Sequence, residues 1–456
     1  MLFVFFCVGT VGSGAEKAPS TVNAADYPSL QAAVDALPGR TGEVYLPPGK
    51  YVLEDTLNLS YSPGGYKGGI KLRGAGRRSK IIARTAGKPA IDLTGANHCV
   101  IEDVNIEAEP NAVKKGNAPN IGLLLARNPD GGAAQEHRFT NVSILGHFTL
   151  ANVYNITSEL DRFIGCIFIN KAPGSHNFVW SSDNFAGIKS PYQGEIKTLY
   201  SNTELRIIGC SFYNWGGGEG GTNIYMRGFT MDTTVRDCYM NPPEGGHAVH
   251  LGMSSKGGPV RSTILEGIRI EGSNADSIFR VTGRAENLVV RNCTMFYGEG
   301  KALDAERLIN FRWENNDVWN TRGWKTALRV KELINGRIRR NMFTFHNWGG
   351  KNPQDADPKI VIGTKSVGSN IQVDKRSHVK FESMENTTID ALNEAGVRRK
   401  YLGGGASGTV LNLTPVDTSE MKHMKEGDVA LDDGTNTESG DPALAVYDGE
   451  KWHYMK

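Results

Sequence analysis

Three basic residues stand at matched places in this sequence. His250, Arg280 and Arg329 follow Met240, Ile270 and Val318 by 10, 10 and 11 residues. Each lies between apolar neighbours: Val249 and Leu251, Phe279 and Val281, Leu328 and Val330. On a β-strand alternate side chains face opposite ways, so if those neighbours turn inward the three basic residues turn outward together. Asp304 and Glu306 occupy the place between Arg280 and Arg329. A basic column with an acid in it suits a uronic-acid polymer. Such a polymer is cleaved by β-elimination when a base takes the proton beside a carboxylate that positive charge has neutralised. Histidine and arginine can fill either role, so His250, Arg280 and Arg329 are catalytic candidates. A merely solvated strand face would carry the same residue types. Lys256 and Arg261, in the following loop, are candidates to overhang the column and bind substrate.

Other residues point the same way from loops. Asp183, in HNFVWSSDN (176–184), is a candidate acid or Ca²⁺ ligand within the long insert 171–203. Trp215 and Trp348 sit beside glycines in FYNWGGG and FTFHNWGG, where an indole can stack on a sugar or fold back onto the protein. Trp180 and Trp324 are read as loop residues too. HAVH (247–250) holds two histidines, but i and i+3 of a regular strand face opposite sides, which argues against a shared metal.

The positioning elements come from a repeat. IEDVNI, FTNVSI, FIGCIF, IIGCSF, VRDCYM, LEGIRI, VRNCTM, WENNDV and IRRNMF align, with fourth residues Val104, Val142, Cys166, Cys210, Cys238, Ile268, Cys293, Asn316 and Asn341. Their spacing settles to 23–25 residues with occasional insertions, the signature of a solenoid with loops of variable length. Alternation within each unit means a strand. The four cysteines read as stacked core residues rather than disulfides, and the two asparagines as structural. Second strands follow at 222–228, 247–252, 277–283 and 327–332. No turn carries an apolar 3.6 period, which excludes a helical solenoid.

The chain therefore reads as all-β, a right-handed parallel β-helix. Leu30, Ala33, Val34 and Leu37 form one apolar stripe on an N-terminal capping helix that begins near Asp26 or Ser29 and stops at Gly39. The opening DYPSLQAAVDALPGRTGEVYLPPGKYVLEDTLNL, followed by GIKLRGAGRRSKIIA, resembles that of pectate-lyase-superfamily proteins of the rhamnogalacturonase/epimerase-like group. The resemblance spans roughly residues 24–385. It implies the β-helix fold. The superfamily includes lyases, hydrolases, epimerases, tailspikes and members without known chemistry, so the activity stays open. The polygalacturonase-like hydrolase pattern is absent: Asp237 is followed by Cys238, and Gly246-His247 by Ala248.

The expected organisation is a signal peptide over 1–16, the β-helix over 24–385, a linker over 386–408 and a small C-terminal β module over 409–456. Met1 to Val11 is nearly all apolar, too short to span a bilayer, and reads as a signal core without its usual leading charge. The mature chain is expected to be secreted, periplasmic or at the cell surface. Glycine is abundant, 55 of 456 residues, and the net charge is only +2, which gives no global pull toward nucleic acid. A polysaccharide lyase is the leading reading. A glycoside hydrolase and a non-catalytic glycan-binding or structural protein are the alternatives. Oligomeric state, sugar and linkage are not legible.

Overall fold

The computed structural model describes residues 21–60, 69–128, 134–196, 198, 202–216, 221–272, 275–297, 300–320, 326–345, 360–375, 379–381, 384–385, 387–392, 398–403, 429–432, 443–447 and 450–455. The expected signal peptide lies outside them.

Each turn of chain lays one strand on each of three sheets. A representative turn runs Asn202–Ile208, Ser211–Asn214 and Thr222–Arg227, then returns to the first sheet at Thr230–Arg236. Among the described residues the three sheets hold 15, 11 and 14 strands. Nearly all pairings are parallel between successive turns. This is a parallel β-helix, and its bore is filled by one continuous apolar core.

The corner between first and second sheets explains the repeat. Its third residue is Asp103, Asn141, Gly165, Gly209, Asp237, Gly267, Asn292, Asn315 or Arg340, and each has φ between 53° and 63°. Left-handed backbone is cheap for glycine and tolerable for Asn and Asp, so those types recur there. The bend turns the fourth residue into the bore, where Cys166, Cys210, Cys238 and Cys293 are buried and unbridged. Asn316 continues the column: its Oδ1 accepts the Cys293 N–H at 3.0 Å and its Nδ2 donates to the Val290 carbonyl at 2.9 Å. Asn341 Oδ1 in turn accepts the Asn316 N–H at 2.9 Å.

Leu30, Ala33 and Val34 of the helix Leu30–Asp35, with Leu37 just beyond, are buried in the same core, and Ser29 Oγ accepts the Ala32 N–H at 3.1 Å as N-cap. Two strands fall inside 386–408, read above as linker. Thr387–Leu392 pairs in parallel onto the first sheet, and Arg398–Gly403 pairs antiparallel with it. Residues Val429–Asp432, Ala443–Tyr447 and Trp452–Met455 form a three-stranded antiparallel sheet. Among the described residues no helix is long and apolar enough to cross a membrane.

Candidate functional site

The third sheet carries the basic column in register. Tyr225 pairs with His250, His250 with Arg280, Arg280 with Asp304, and Asp304 with Arg329. The apolar neighbours Val249, Leu251, Phe279, Val281, Leu328 and Val330 all lie in the core, so alternation turns this column outward. The strand Ser277–Glu286 bulges between Val281 and Arg284. Gly283 makes the bulge at φ 82°, and a Cβ there would come within 2.1 Å of Met253 Sδ. The Gly283 N–H is taken by Glu306 Oε2 at 2.6 Å.

Asp304 is the hub. Its side chain is buried, yet three cations reach it: Arg329 through Nε on Oδ1 at 2.7 Å and Nη2 on Oδ2 at 2.5 Å, Arg280 through Nη1, and Lys301 Nζ at 3.7 Å. Burial opposes its charge. The Arg329 hydrogen bond and the charges of Arg280, Lys301 and Arg329 outweigh it and hold the carboxyl below its ordinary value. Three positive groups share one carboxylate, so the cluster keeps a positive excess. It borders a cavity of about 440 Å³ lined also by Glu306, Lys331 and Val361.

His250 is not part of that charge. Burial, then the neighbouring His247 and Arg280, push its imidazole down to about 3, so it is neutral at physiological pH. Its ring stacks on Tyr225 with centroids 4.8 Å apart, and Nε2 lies 2.9 Å from Thr282 Oγ1. The expected cationic column is therefore cationic at Arg280 and Arg329, with Lys301 added. His247 and His250 rings come within 5.3 Å of each other. The strand is irregular here, since consecutive residues Ala248 and Val249 both face the core. The strict alternation expected for HAVH fails for that reason. Among the described residues no group of three His, Cys, Asp or Glu side chains could hold a metal ion.

Asp183 is committed elsewhere. Its Oδ1 accepts from Arg227 Nε at 3.0 Å and Ser181 Oγ at 2.9 Å, and Oδ2 accepts the Ser255 N–H at 3.0 Å. Burial would raise its carboxyl, but these bonds and the Arg227 charge hold it below the ordinary value. An ionised, three-fold bonded carboxylate is a tie between segments, not a general acid. Asp237 sits at a corner between the first and second sheets, paired with Arg236, while Asp183 follows a third-sheet strand. The two carboxylates do not form a hydrolytic pair.

Lys256 and Arg261 do lie together, lining a cavity of about 430 Å³ with Asp183 and Arg284. Arg261 is occupied by Glu286 at 2.7 Å and by the Phe229 ring at 4.5 Å. Trp215 is exposed, with Lys171 over its ring at 5.6 Å, and it follows a second-sheet strand rather than standing on a strand of the basic column. Trp180 is not a loop residue: it is fully buried in the strand His176–Ser181 and faces the bore. Trp348 and Trp324 lie outside the described residues.

Sequence reasoning missed Tyr225, which joins the column one strand before His250 and receives Arg227 Nη1 at 3.3 Å on its hydroxyl. Its sequence signal was present, since TNIYMRG aligns with HAVHLG by the same rule. Together these groups can bind anions, hold a neutral imidazole beside them and offer a phenol hydroxyl.

The chain is a parallel β-helix protein. The fold is the one its pectate-lyase-superfamily resemblance implies. No family model and no curated protein matches it. Among solved structures it is similar to the A-module of mannuronan C-5 epimerase AlgE6 from Azotobacter vinelandii, at 13% identity over 81% of this chain and 98% of that one, with a TM-score of 0.45. The AlgE4 A-module gives 12% identity over 82% and 98%, with a TM-score of 0.44. The catalytic domain of a GH87 α-1,3-glucanase in complex with nigerose gives 13% over 77% and 68%, with a TM-score of 0.43. Likenesses this distant say nothing of substrate or reaction.

Proposed function

We propose that this β-helix protein binds an acidic, uronic-acid-containing polysaccharide along Tyr225, His250, Arg280 and Arg329 and cleaves it by β-elimination. The observation that carries the reading is the set Arg280–Asp304–Arg329, in which two guanidiniums and Lys301 converge on one buried carboxylate beside an open cavity. The positive excess offers a uronate carboxylate a bidentate partner without leaving the arginines unpaired when the site is empty. Neutralising that carboxylate makes the adjacent C–H more acidic.

His250 is already unprotonated, the form that accepts a proton. A carboxylate bound at Arg280 offsets one of the charges that depress its basicity. Tyr225 is the donor for the leaving oxygen. The C–H electron pair becomes the new double bond, the glycosidic C–O bond breaks, His250 holds the proton taken, and the Tyr225 proton goes to the departing oxygen. Asp304 stays ionised and positions both arginines. A polymeric substrate of this kind fits an exported protein, secreted, periplasmic or on the cell surface.

The test is digestion of pectin, alginate, glycosaminoglycan and algal uronans, with and without Ca²⁺. It is followed by near-ultraviolet absorbance for unsaturated uronide and by reducing-end assay. Absorbance that is lost in His250→Ala and Arg329→Ala supports the reading. Reducing ends without absorbance would make the protein a hydrolase, and binding without either signal a glycan-binding protein. Both outcomes reject elimination.

A further inference from the structure

The outer face of the third sheet is two different surfaces. In its earlier turns the outward residues are sealed. Leu124, Tyr154 and Val179 have no exposure and pack with Ile196, Ile188 and Leu150 in a second apolar cluster outside the bore. From Tyr225 onward the same column carries the polar and charged groups of the candidate site. The change falls between two neighbouring strands, since Val179 pairs with Tyr225.

The seal is the segment 182–196. It leaves the third sheet after Ser181 and doubles back over the preceding turns. Its far end is fastened three times: Ser190 Oγ to the buried Asp92, Tyr192 hydroxyl to the Thr56 carbonyl, and Gln193 Nε2 to Ser60 Oγ at 3.3 Å. Its near end stands against the site. Phe185 meets Tyr225 edge-on at 5.5 Å and Tyr154 at 5.7 Å, with the Arg227 guanidinium 4.9 Å from its ring centroid. Asp183, through the Ser255 N–H, ties the segment to the loop that carries Lys256.

We infer that this segment is a fixed end wall, so that the site takes one terminus of an acidic glycan and the protein acts on chain ends rather than mid-chain. The inference rests on the reading of the Tyr225–Arg329 column as a glycan site. A chain lying along the column for internal attack has to continue past Tyr225 over Val179, and Phe185 and Ile188 fill that path. Four strand steps of about 4.8 Å leave roughly 19 Å between Tyr225 and Arg329 for the bound end. The wall is fixed rather than gated because it is bonded at both ends and apolar beneath.

The test uses hexasaccharides of galacturonate and of mannuronate in three forms: unlabelled, with a bulky fluorophore on the reducing end, and with a bulky block on the non-reducing end. Binding is measured by calorimetry, and product sizes are followed during polymer digestion. One of the two blocks should weaken binding at least about tenfold while the other is tolerated, as a one-ended site requires. Polymer should yield one short product from the start, with slow loss of viscosity. Phe185→Ala should restore tolerance of the excluded block. If that variant does not fold, the two blocks on the unaltered protein still decide. Equal tolerance of both blocks, or a broad product ladder with fast viscosity loss, overturns the end wall and leaves the glycan reading standing. No binding of any hexasaccharide and no turnover of polymer overturns the glycan reading itself, and the end wall with it.

Discussion

Arg329 grips Asp304 at two points from the neighbouring strand, Nε on Oδ1 at 2.7 Å and Nη2 on Oδ2 at 2.5 Å. Arg280 reaches the same carboxylate from the strand on the other side. One acid thus separates two arginines that would otherwise repel across two turns.

Replacing Asp304 by Asn should therefore destabilise the protein, by about 1–3 kcal/mol, the usual cost of losing charge-assisted bonds at a buried group. The pH dependence has a definite sign. The folded carboxyl lies below its ordinary value of 3.8, so its contribution is complete above that value and is lost as pH falls further. Urea unfolding at pH 7 and pH 3 should show a smaller pH sensitivity in Asp304→Asn than in the parent. Equal sensitivity would mean that Asp304 is not held by the arginines.

Arg329 is half exposed and Arg280 mostly covered. Arg329→Ala should cost about 1–3 kcal/mol of stability, because it takes two charge-assisted bonds from the buried Asp304, and should weaken acidic-glycan binding about tenfold, the loss of one charge-assisted contact. The loss should be greater at low salt, where screening is least. Affinity titrations at two salt concentrations check this, and an unchanged affinity at low salt rejects Arg329 as a carboxylate partner.

His250 should show no protonation between pH 8 and pH 5, since its imidazole is held down to about 3. The group is neutral when folded and protonates more readily when unfolded, so its effect on stability is unfavourable as pH falls below 6.5 and levels off near the folded value. The C2-proton shift of His250, assigned with His250→Gln, measures it directly. Titration near pH 6.5 would show that the Tyr225 stack and Thr282 contact do not exclude water.

Thiol chemistry tests the bore. Burial raises Cys99 to about 11 and Cys293 to about 12, and also raises Cys210. Cys238 is raised first by its contact with Cys210 and then by burial. Thiolate is the reactive form, so these residues should resist iodoacetamide in the native protein and react fully in denaturant. Mass spectrometry of the labelled peptides reads this site by site. Native labelling of Cys210 would place that column outside the core.

The register of the site was legible because His250, Arg280 and Arg329 each lie between residues the core demands, which fixes the face of every strand. Asp304 was named as the intervening acid on the same count. What could not be read was cover. IGLLLA (121–126) and ANVYNI (151–156) are buried on both faces, and the near-continuous apolar run of the first was a sign of that. Their outer cover comes from residues 182–196, distant in sequence, and no local pattern announces where a loop will fold back. The ties of Asp183 were hidden for the same reason: its partners Arg227 and Ser255 lie 44 and 72 residues away. The neutrality of His250 is likewise a matter of packing, set by burial and by the neighbouring His247 and Arg280.

The left-handed corner residue gives the molecule a quantum of length. Between Tyr225 and Arg329 each turn closes through its own bend and pairs with the turns beside it, so a turn can be added or removed there without redefining the others. Lengthening between Arg280 and Asp304 would move Arg329 away from Tyr225 by one whole strand step and would separate the carboxylate from one of its arginines. The spacing of the outward groups is thus a ruler marked in complete turns. Change in the reach of this face has to come in discrete steps, each keeping the corner residue at its place.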